Sequence, residues 1–425
     1  MKVFIDPVVE GVKIYKYVFR LIAFNKGLEI NFVPDIKDAD LTAGYNCSGL
    51  CIDKNFYHNL KEGNFNHRNF FSEKCMIIDE FGNDDILSTI FYCTNSVQEY
   101  NHESADPLGR FQFSESYQHK FSNIHENLVQ KWMDRIIEKI PGLISLAKKN
   151  TPSRIFLTHD IDTVYGALKE DGFAAIKNGR LDILLSLAMN AMLKKPDWIN
   201  FNKIMDIEAD YDYKSTFYWL LYNDPLNADY QFDNKLIKAS YKNVVDRGWE
   251  TGLHKSLGKR TINEEAEKLE NFSGGNRFHY LNFVLPDGYN QLDKSVVLLD
   301  SSLGFTEQWG FRNNYGQPII PFNIQEECLY NFLEVPMHIM DRTLFKSKSD
   351  VKETLKFLIA WFEENKSDCV FALNFHNNFF SEVKYKGYSW LYKHILRYFR
   401  ESKMEAISQR ELIDEYYRKS KQFID

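Results

Sequence analysis

The sequence predicts an α/β protein of two regions, the larger built on a parallel β-sheet that is either open or closed into a barrel. A length of 425 residues corresponds to two or three domains at about 150 residues per domain. Hydrophobic residues are 44% and charged residues 26% of the chain, which is typical of a soluble globular protein. Short apolar runs alternate with helical periodicities, and this alternation predicts that the strands are parallel.

The first region, residues 1–150, is predicted to be a smaller α/β domain. Apolar runs occur at residues 1–5, 28–33, 75–78 and 86–92, and helical patterns at 13–24 and 125–140. A polar segment with a proline follows at residues 150–153. Because such segments interrupt regular structure, we place the boundary there and assign residues 151–425 to the second domain.

The second region alternates more regularly between strand and helix patterns. Strands are predicted at residues 154–158, 215–221, 250–254, 277–284, 296–300 and 369–375. Helices are predicted at residues 235–246, 264–272 and 351–365. The sequence shows no internal repeat of solenoid length, so a single sheet with flanking helices is the expected architecture.

The segment 181–193 is the longest apolar stretch of the chain. It is too short and too interrupted to span a bilayer, so we predict no integral membrane segment. Apolar residues cover most of its helical surface, which favours a helix that is buried or faces a groove. A helix lying on a membrane surface is the alternative.

Charge and cysteine content predict a cytoplasmic protein that does not bind nucleic acid. The net charge is -7 and the isoelectric point about 5.9, whereas nucleic-acid binders usually carry a basic excess. The six cysteines are scattered and match no redox or zinc motif, so we expect buried free thiols in a reducing compartment. The first residues contain no apolar stretch long enough for a signal peptide.

Ionisable residues follow three of the predicted strands. Asp160 and Asp162 come after the first strand, His254 after the third and His376 after the last. In parallel α/β folds these strand ends meet at one edge, where catalytic groups collect. Carboxylate and imidazole are zinc ligands, and a hydrolytic zinc site leaves one position open for water. Each residue alone is equally well explained as a core histidine, a turn or a helix cap.

Four segments together resemble the polysaccharide deacetylase (NodB-homology) superfamily, the fold of carbohydrate esterase family 4. They occur in the family's order and are FLTHDID at 156–162, KSTFYWL at 214–220, GWETGLH at 248–254, and Phe375–His376. The resemblance covers about residues 152–420 and implies a distorted (β/α) barrel. The first region looks like a domain of unknown function that precedes a bacterial branch of these enzymes, through Tyr100, Asp106 and residues 109–111.

The resemblance implies a role for each strand-end residue. Asp160 matches the general base, Asp162 a metal-binding carboxylate, and His254 the first metal histidine. His376 matches the general acid that protonates the departing amine. The family usually has its two aspartates side by side, and Ile161 separates them here, so the two aspartate roles could be exchanged.

The sequence departs from the family at the second metal histidine, where it has Gly258. His279 is our candidate replacement, with His338 as a weaker alternative. Arg277 lies where the family has its Arg-x-Pro-Tyr motif, which implies that it pairs with Asp160 and keeps it ionised. The backbone N–H near Tyr280 would then help to bind the oxyanion.

Other polar and aromatic residues have weaker assignments. Asp300 and Asp341 are assigned a supporting role, with a turn or helix cap as an equal alternative. Aromatic side chains that could stack on a sugar ring, or equally belong to the core, are Trp219, Trp309, Phe311 and Tyr315.

The sequence therefore predicts a metal-dependent hydrolase, with Zn²⁺ as the favoured ion, that removes an N-acetyl group from a carbohydrate substrate. One alternative is a carbohydrate-binding protein without activity on a degenerate deacetylase scaffold, which the glycine at position 258 favours. Another is a hydrolase acting on a different linear amide or an ester. The oligomeric state does not follow from the sequence.

Overall fold

The computed structural model describes residues 1–102, 105–193, 195–347 and 349–419, so residues 420–425 at the end of the predicted second domain lie outside it. The first region contains a parallel four-stranded sheet of order β2-β1-β3-β4 and a small antiparallel pair, β5 and β6. Its elements are β1 (Lys2–Ile5), α1 (Val12–Lys26), β2 (Asn31–Phe32), β3 (Leu41–Gly44), β4 (Leu50–Cys51), α2 (Lys54–Lys61), β5 (Ile77–Ile78), β6 (Asp84–Asp85), α3 (Ile86–Thr94), α4 (Tyr117–Lys120), α5 (Leu128–Glu138) and α6 (Pro141–Ile144).

The second region is built on a sheet of parallel strands with helices between them, and it also contains a separate antiparallel pair, β12 and β13. Its elements are β7 (Arg154–Ile161), α7 (Ala167–Lys177), α8 (Leu181–Met192), α9 (Phe201–Ala209), β8 (Thr216–Trp219), α10 (Lys235–Asp246), β9 (Glu250–Lys255), α11 (Ile262–Ala266), β10 (Gly275–Phe278), α12 (Asp287–Asp293), β11 (Leu299–Asp300), β12 (Phe322–Asn323), β13 (Cys328–Leu329), β14 (Leu333–Glu334), β15 (Ile339–Met340), α13 (Asp341–Lys346), α14 (Val351–Glu364), β16 (Val370–Asn374), α15 (Tyr388–Glu401), β17 (Glu405–Ala406) and α16 (Gln409–Leu412).

The main sheet has the order β14-β11-β10-β9-β8-β7-β16-β15, with β17 added beside β7. Its two edge strands, β14 and β15, are separated by only residues 335–338. The N–H of Val335 still bonds to Asp300 on one side, and the N–H of His338 bonds to Ala372 on the other. Because four linking residues reach at most about 17 Å, the sheet must curl until its edges nearly meet. The predicted α/β fold with a distorted (β/α) barrel is confirmed.

The barrel strands are apolar because helices cover their outer face and side chains fill the interior. In β7 every residue after Arg154 is buried, including Ile155 and Leu157. Strands buried on both faces lose the alternation of apolar and polar residues that half-exposed strands show. One continuous cluster of buried side chains runs from the first region into the barrel and includes Phe91 and Phe371.

Three sequence-based element assignments are wrong. Residues 86–92 lie in helix α3, which Asp85 begins by accepting the N–H of Ser88, because a short apolar run does not distinguish a helix from a strand. The predicted strand 277–284 ends at Phe278, since the chain turns at Tyr280 with φ 59°. The predicted helix 264–272 is Ile262–Ala266, because Thr261 caps it three residues earlier.

The predicted helix at residues 181–193 is present as α8, but the expectation that it is buried is wrong. Leu187 is its one buried residue, and Leu185 is 71% exposed. None of the helices in the described part of the chain is long and apolar enough to cross a membrane. All six cysteines are free, but the expectation that they are buried holds only for Cys93 and Cys369. Three are half-buried, namely Cys47, Cys51 and Cys75, and Cys328 is exposed.

Candidate active site

A pocket of about 180 Å³ lies at the carboxyl ends of β7, β9, β10 and β16. Because these strands run parallel in one curled sheet, side chains that are far apart in sequence meet there. The residues that line it are Arg110, Asp160, Asp162, His254, His279, Tyr280, Leu281, Thr306, Met340, Arg342, Lys346 and His376.

Asp162, His254 and His279 bring three ligand atoms together in this pocket. Nε2 of His254 lies 3.2 Å from Oδ1 of Asp162, and Nε2 of His279 lies 3.7 Å from the same oxygen. The three ligand atoms all lie within 4.8 Å of one another, an arrangement found at no other His, Cys, Asp or Glu group within the described ranges. Two imidazoles and one carboxylate form a ligand set that catalytic zinc uses.

The surroundings of these three residues fit a divalent cation. Oδ1 of Asp162 is buried without a hydrogen-bond donor among the residues described, which is costly unless a cation compensates it. Nδ1 of His254 lies 2.9 Å from the carbonyl oxygen of Arg277, which only accepts, so Nδ1 carries the proton. The lone pair of Nε2 therefore faces the other ligand atoms, as in a metal-binding histidine.

The two histidines differ in their second hydrogen bond and in their pKa. Nδ1 of His279 is buried and has no partner in the described part of the chain, so nothing fixes its ring as the Arg277 carbonyl fixes His254. Burial lowers the pKa of His279, whereas the carboxylates of Asp160 and Asp162 outweigh burial and raise the pKa of His254.

Asp160 lies beside these ligands and is held in its ionised form. Nη1 of Arg277 donates to its Oδ1 at 2.8 Å, and Nδ2 of Asn374 donates to its Oδ2 at 2.7 Å. Burial raises the pKa of Asp160, but the guanidinium and two nearby imidazoles lower it by more, so the pKa lies below its ordinary value. Arg277 is fully buried, and the carbonyl oxygen of Ser301 accepts from its Nε at 2.7 Å.

Asp162 is also ionised, although it is buried. Burial raises its pKa, but the neighbouring imidazoles of His279, His376 and His254 outweigh burial and lower it well below the ordinary value. The structure thus brings together two carboxylates with different partners. Asp160 is bound by an arginine and an amide, and Asp162 is surrounded by imidazoles.

His376 faces the pocket from the end of β16, and Asp341 fixes its orientation. Nδ1 of His376 donates to Oδ1 of Asp341 at 2.7 Å, and its backbone N–H donates to Oδ2 at 2.6 Å. Its Nε2 lies 3.5 Å from Oδ2 of Asp162 and 3.9 Å from Oδ2 of Asp160. The nitrogen that would exchange a proton is therefore directed towards both carboxylates.

Arg342 is a further cation in the pocket that the sequence analysis missed. Its Nη2 donates to Oδ2 of Asp162 at 3.1 Å, and its Nε lies 3.3 Å from Nε2 of His376. The side chain is 37% exposed, so it has room to move towards solvent. The sequence around Arg342 contains no motif that identifies it as a site residue.

The first region contributes to the pocket through Arg110, which the sequence analysis also missed as a site residue. Arg110 is held by Asp106, which accepts from its Nε at 2.8 Å, and its Nη1 donates to the carbonyl oxygen of Tyr280 at 2.6 Å. Tyr280 has a positive φ of 59°, and its ring stacks on His279 with 3.9 Å between centroids. Arg110 therefore supports the turn that carries His279.

Several candidates from the sequence lie away from the pocket. His338 accepts the N–H of Ala372 through Nδ1 at 3.1 Å, and burial lowers its pKa to about 3, so it is a neutral core histidine. Trp309 stacks on His125, with 4.1 Å between centroids. The other aromatic candidates for sugar stacking are buried, and they are Trp219, Phe311 and Tyr315. Asp300 is buried behind Arg277, where it accepts the side-chain amide of Asn276.

A family model matches part of the first region. Residues 15–144 match DUF7033, a family of unknown function. No curated protein matches the chain.

Among solved structures, the chain is similar to three proteins at low identity. A candidate polysaccharide deacetylase from Mycobacterium smegmatis is 11% identical, with a TM-score of 0.39 over 63% of this chain and 90% of that one. A variant of the peptidoglycan deacetylase PdaC from Bacillus subtilis is 10% identical, with a TM-score of 0.33 over 65% and 96%. BA3943 from Bacillus anthracis, a pseudoenzyme of carbohydrate esterase family 4, is 11% identical, with a TM-score of 0.28 over 63% and 68%.

Proposed function

We propose that the chain is a metal-dependent hydrolase that removes an N-acetyl group from an amino sugar or polysaccharide precursor. The observation that carries this proposal is the arrangement of Asp162, His254 and His279 within 4.8 Å of one another. Asp160 and His376 line the same pocket and supply a carboxylate and an imidazole for proton transfer. The four sequence segments that resemble polysaccharide deacetylases contain Asp160, Asp162, His254 and His376.

Asp162, His254 and His279 would hold the metal, with Zn²⁺ favoured by two nitrogen ligands and one carboxylate. When bound, the ion would supply an activated water and polarise the acyl carbonyl. Three protein ligands leave a position open, as hydrolytic chemistry requires. The pocket is smaller than the about 300–1,000 Å³ of a typical ligand pocket, so it would enclose the reacting end of a substrate.

The residues of the chain divide the proton transfers between them. Asp160, kept ionised by Arg277, accepts a proton from the attacking water. His376, oriented by Asp341, donates a proton to the departing amine nitrogen. The backbone N–H near Tyr280 stabilises the negative charge that develops on the carbonyl oxygen. Acetate and a free amino sugar are the products. A cytoplasmic location, as the sequence predicts, favours a nucleotide- or lipid-linked sugar as substrate.

A carbohydrate-binding protein without activity is the second candidate, and Arg342 is the observation that favours it. Its guanidinium lies 3.1 Å from Oδ2 of Asp162, where it competes with a metal for that carboxylate. Gly258 also occupies the position of the histidine expected from the family resemblance. If this candidate is correct, a chelator does not change sugar binding, and the purified protein contains no stoichiometric metal.

The first experiment is to measure metal per chain in the purified protein and in the variants His254→Ala and His279→Ala. We expect about one equivalent of zinc in the wild type and loss of it in both variants, because each removes one of three ligands. His58→Ala, which changes an exposed histidine on α2, is the matched control and should keep the metal. A wild type that takes up no metal when zinc is offered would exclude the hydrolase and leave the binding protein.

The second experiment measures acetate release from N-acetylated amino sugars, with an O-acetyl ester as comparison. We expect release from the amide that stops on chelation and returns with zinc. Release from the ester alone would shift the proposal to the esterase alternative.

A further inference from the structure

The hairpin of helices α7 and α8 is the most apolar exposed surface of the described chain. Of the 19 large hydrophobic side chains that are exposed among the described residues, eight lie between residues 168 and 193. They are Leu168, Phe173, Ile176, Leu181, Leu185, Met189, Met192 and Leu193. Contiguous exposed apolar surface on a soluble protein commonly marks an interaction site.

The exposed apolar residues of α8 lie on one face of the helix. Leu181, Leu185, Met189 and Met192 follow one another at spacings of four, four and three residues. They are between 57% and 85% exposed, whereas Leu187 on the opposite side is buried. The helix is therefore apolar on both sides, and one of its two apolar faces is directed away from the body of the protein.

Basic residues accompany this apolar face, although the whole chain carries a net charge of -7. Lys169, Lys177 and Lys195 are exposed, and none of them forms an ion pair with another described residue. The acidic side chains of the hairpin are neutralised or buried. Asp182 is paired with Arg180 at 2.7 Å, and Asp171 is buried where it accepts the indole N–H of Trp198.

We infer that this hairpin binds the surface of an anionic lipid bilayer. Exposed leucine, methionine and phenylalanine side chains enter the boundary of the acyl chains, and the lysines contact the anionic headgroups. A second copy of the chain fits less well, because its own hairpin would bring three more lysines and, among the described residues, no unpaired carboxylate to the contact.

The base of the hairpin ties it to the candidate active site. The side-chain amide of Asn377, directly after His376, donates to the carbonyl oxygens of Thr163 and Trp198 at 2.8 and 2.9 Å. Trp198 also packs with Leu187 in a small buried cluster below α8. Since α7 begins five residues after Asp162, a bilayer bound to the hairpin lies at the same end of the barrel as the pocket.

Flotation with lipid vesicles tests this inference in the full-length protein and without any substrate, so its outcome is independent of the hydrolase proposal. We expect the wild type to float with vesicles of phosphatidylcholine and phosphatidylglycerol, and much less with phosphatidylcholine alone. Leu185→Gln and Met189→Gln should each weaken binding about tenfold, because each removes one apolar side chain from the acyl boundary. Lys177→Gln should weaken binding about fivefold and only to the anionic vesicles.

Phe357→Gln is the matched control, because Phe357 is 66% exposed on α14 and should not affect binding. Circular dichroism of each variant verifies that it is folded. Wild-type protein that does not float, or Leu185→Gln and Met189→Gln proteins that float as well as the wild type, would overturn the inference. A different result would also overturn it: wild-type protein that binds no vesicles but forms a dimer in light scattering, with the dimer lost in those two variants. A second copy of the chain would then cover the apolar face of α8.

Discussion

At the scale of single residues, the spacing of Asp160 and Asp162 explains how two carboxylates enter one pocket. Side chains two residues apart on an extended strand point to the same face, so Ile161 between them points into the core, where it is fully buried. The residue that separates the aspartates in sequence therefore does not separate them at the site. What distinguishes them is the set of partners, since Arg277 and Asn374 bind Asp160 alone.

Asp341→Asn should lower the rate of the proposed reaction while leaving the metal in place. Asp341 accepts from Nδ1 and from the backbone N–H of His376, and an amide has only one acceptor oxygen for these two donors, so it would no longer hold the imidazole in this orientation. We expect kcat to fall about 10²- to 10⁴-fold. Steady-state kinetics and metal analysis of the same preparation measure both effects.

Asp350→Asn is the control for that substitution, because Asp350 caps α14 by accepting the N–H of Lys352 and lies outside the pocket. It should keep full activity. An Asp341→Asn protein with normal kcat would show that His376 does not transfer the proton. An Asp341→Asn protein that loses its metal would show that Asp341 acts through the metal ligands.

At the scale of elements, strand β9 depends on a glycine to position His254. A Cβ at Gly252 would lie 2.4 Å from the ring of Tyr218 in β8 and 3.1 Å from the carbonyl oxygen of Gly275 in β10. Gly252→Ala should therefore push β9 away from its neighbours and destabilise the protein by about 1–3 kcal/mol. The same shift should weaken zinc binding, which titration calorimetry measures.

Gly142→Ala is the matched control, because a Cβ at Gly142 meets no atom within 4 Å. It should leave the free energy of unfolding and the zinc affinity unchanged or slightly improved. If the Gly252→Ala protein had the same free energy of unfolding as the wild type, the ring of Tyr218 would be able to move aside.

Helix α3 should make stability depend on pH through its cap, Asp85. Burial raises the pKa of Asp85 from its ordinary value of 3.8 to about 7. The folded state therefore binds a proton more tightly than the unfolded state, so this contribution is complete below about pH 4 and is lost as pH rises through about 7. Three pKa units correspond to about 4 kcal/mol, so Asp85→Asn should gain stability relative to the wild type between pH 5 and 8. Urea unfolding at several pH values measures the difference in free energy of unfolding between the variant and the wild type. A difference that does not change with pH would contradict the prediction.

The elements also show how far the sequence predicts the structure. Strand ends are predictable because parallel strands place their carboxyl ends together, and in this way Asp160, Asp162, His254 and His376 meet in one pocket. Helix α10 has the predicted bounds, 235–246, because a regular amphipathic period marks it clearly. The contributions of Arg110 and Arg342 and the exposure of one face of α8 were not predictable, since each depends on which distant segment packs against it. The division at residues 150 and 151 and the roles of the site residues remain predictions.

At the scale of the whole molecule, the first region and the barrel share one core and one buried ion pair. Nε and Nη2 of Arg312 donate to the two carboxylate oxygens of Glu99 at 2.9 and 2.6 Å. Both side chains are almost completely buried, and Nη1 of Arg312 donates to the carbonyl oxygen of Gly304 at 2.7 Å. Arg110 joins the same two regions at the pocket. The geometry of the pocket therefore depends on both regions.

Glu99→Gln should destabilise the protein by about 3–5 kcal/mol, because it leaves the guanidinium of Arg312 buried without a counter-charge. Since one hydrophobic cluster spans both regions, we expect the loss to lower a single unfolding transition rather than to separate two. Differential scanning calorimetry measures both properties. The exposed pair Lys242–Asp246 provides the comparison, because Lys242→Gln should change stability by less than about 0.5 kcal/mol. Two resolved transitions in the Glu99→Gln protein would mean that the regions fold separately, and that the contact of Arg110 with Tyr280 forms only when they dock.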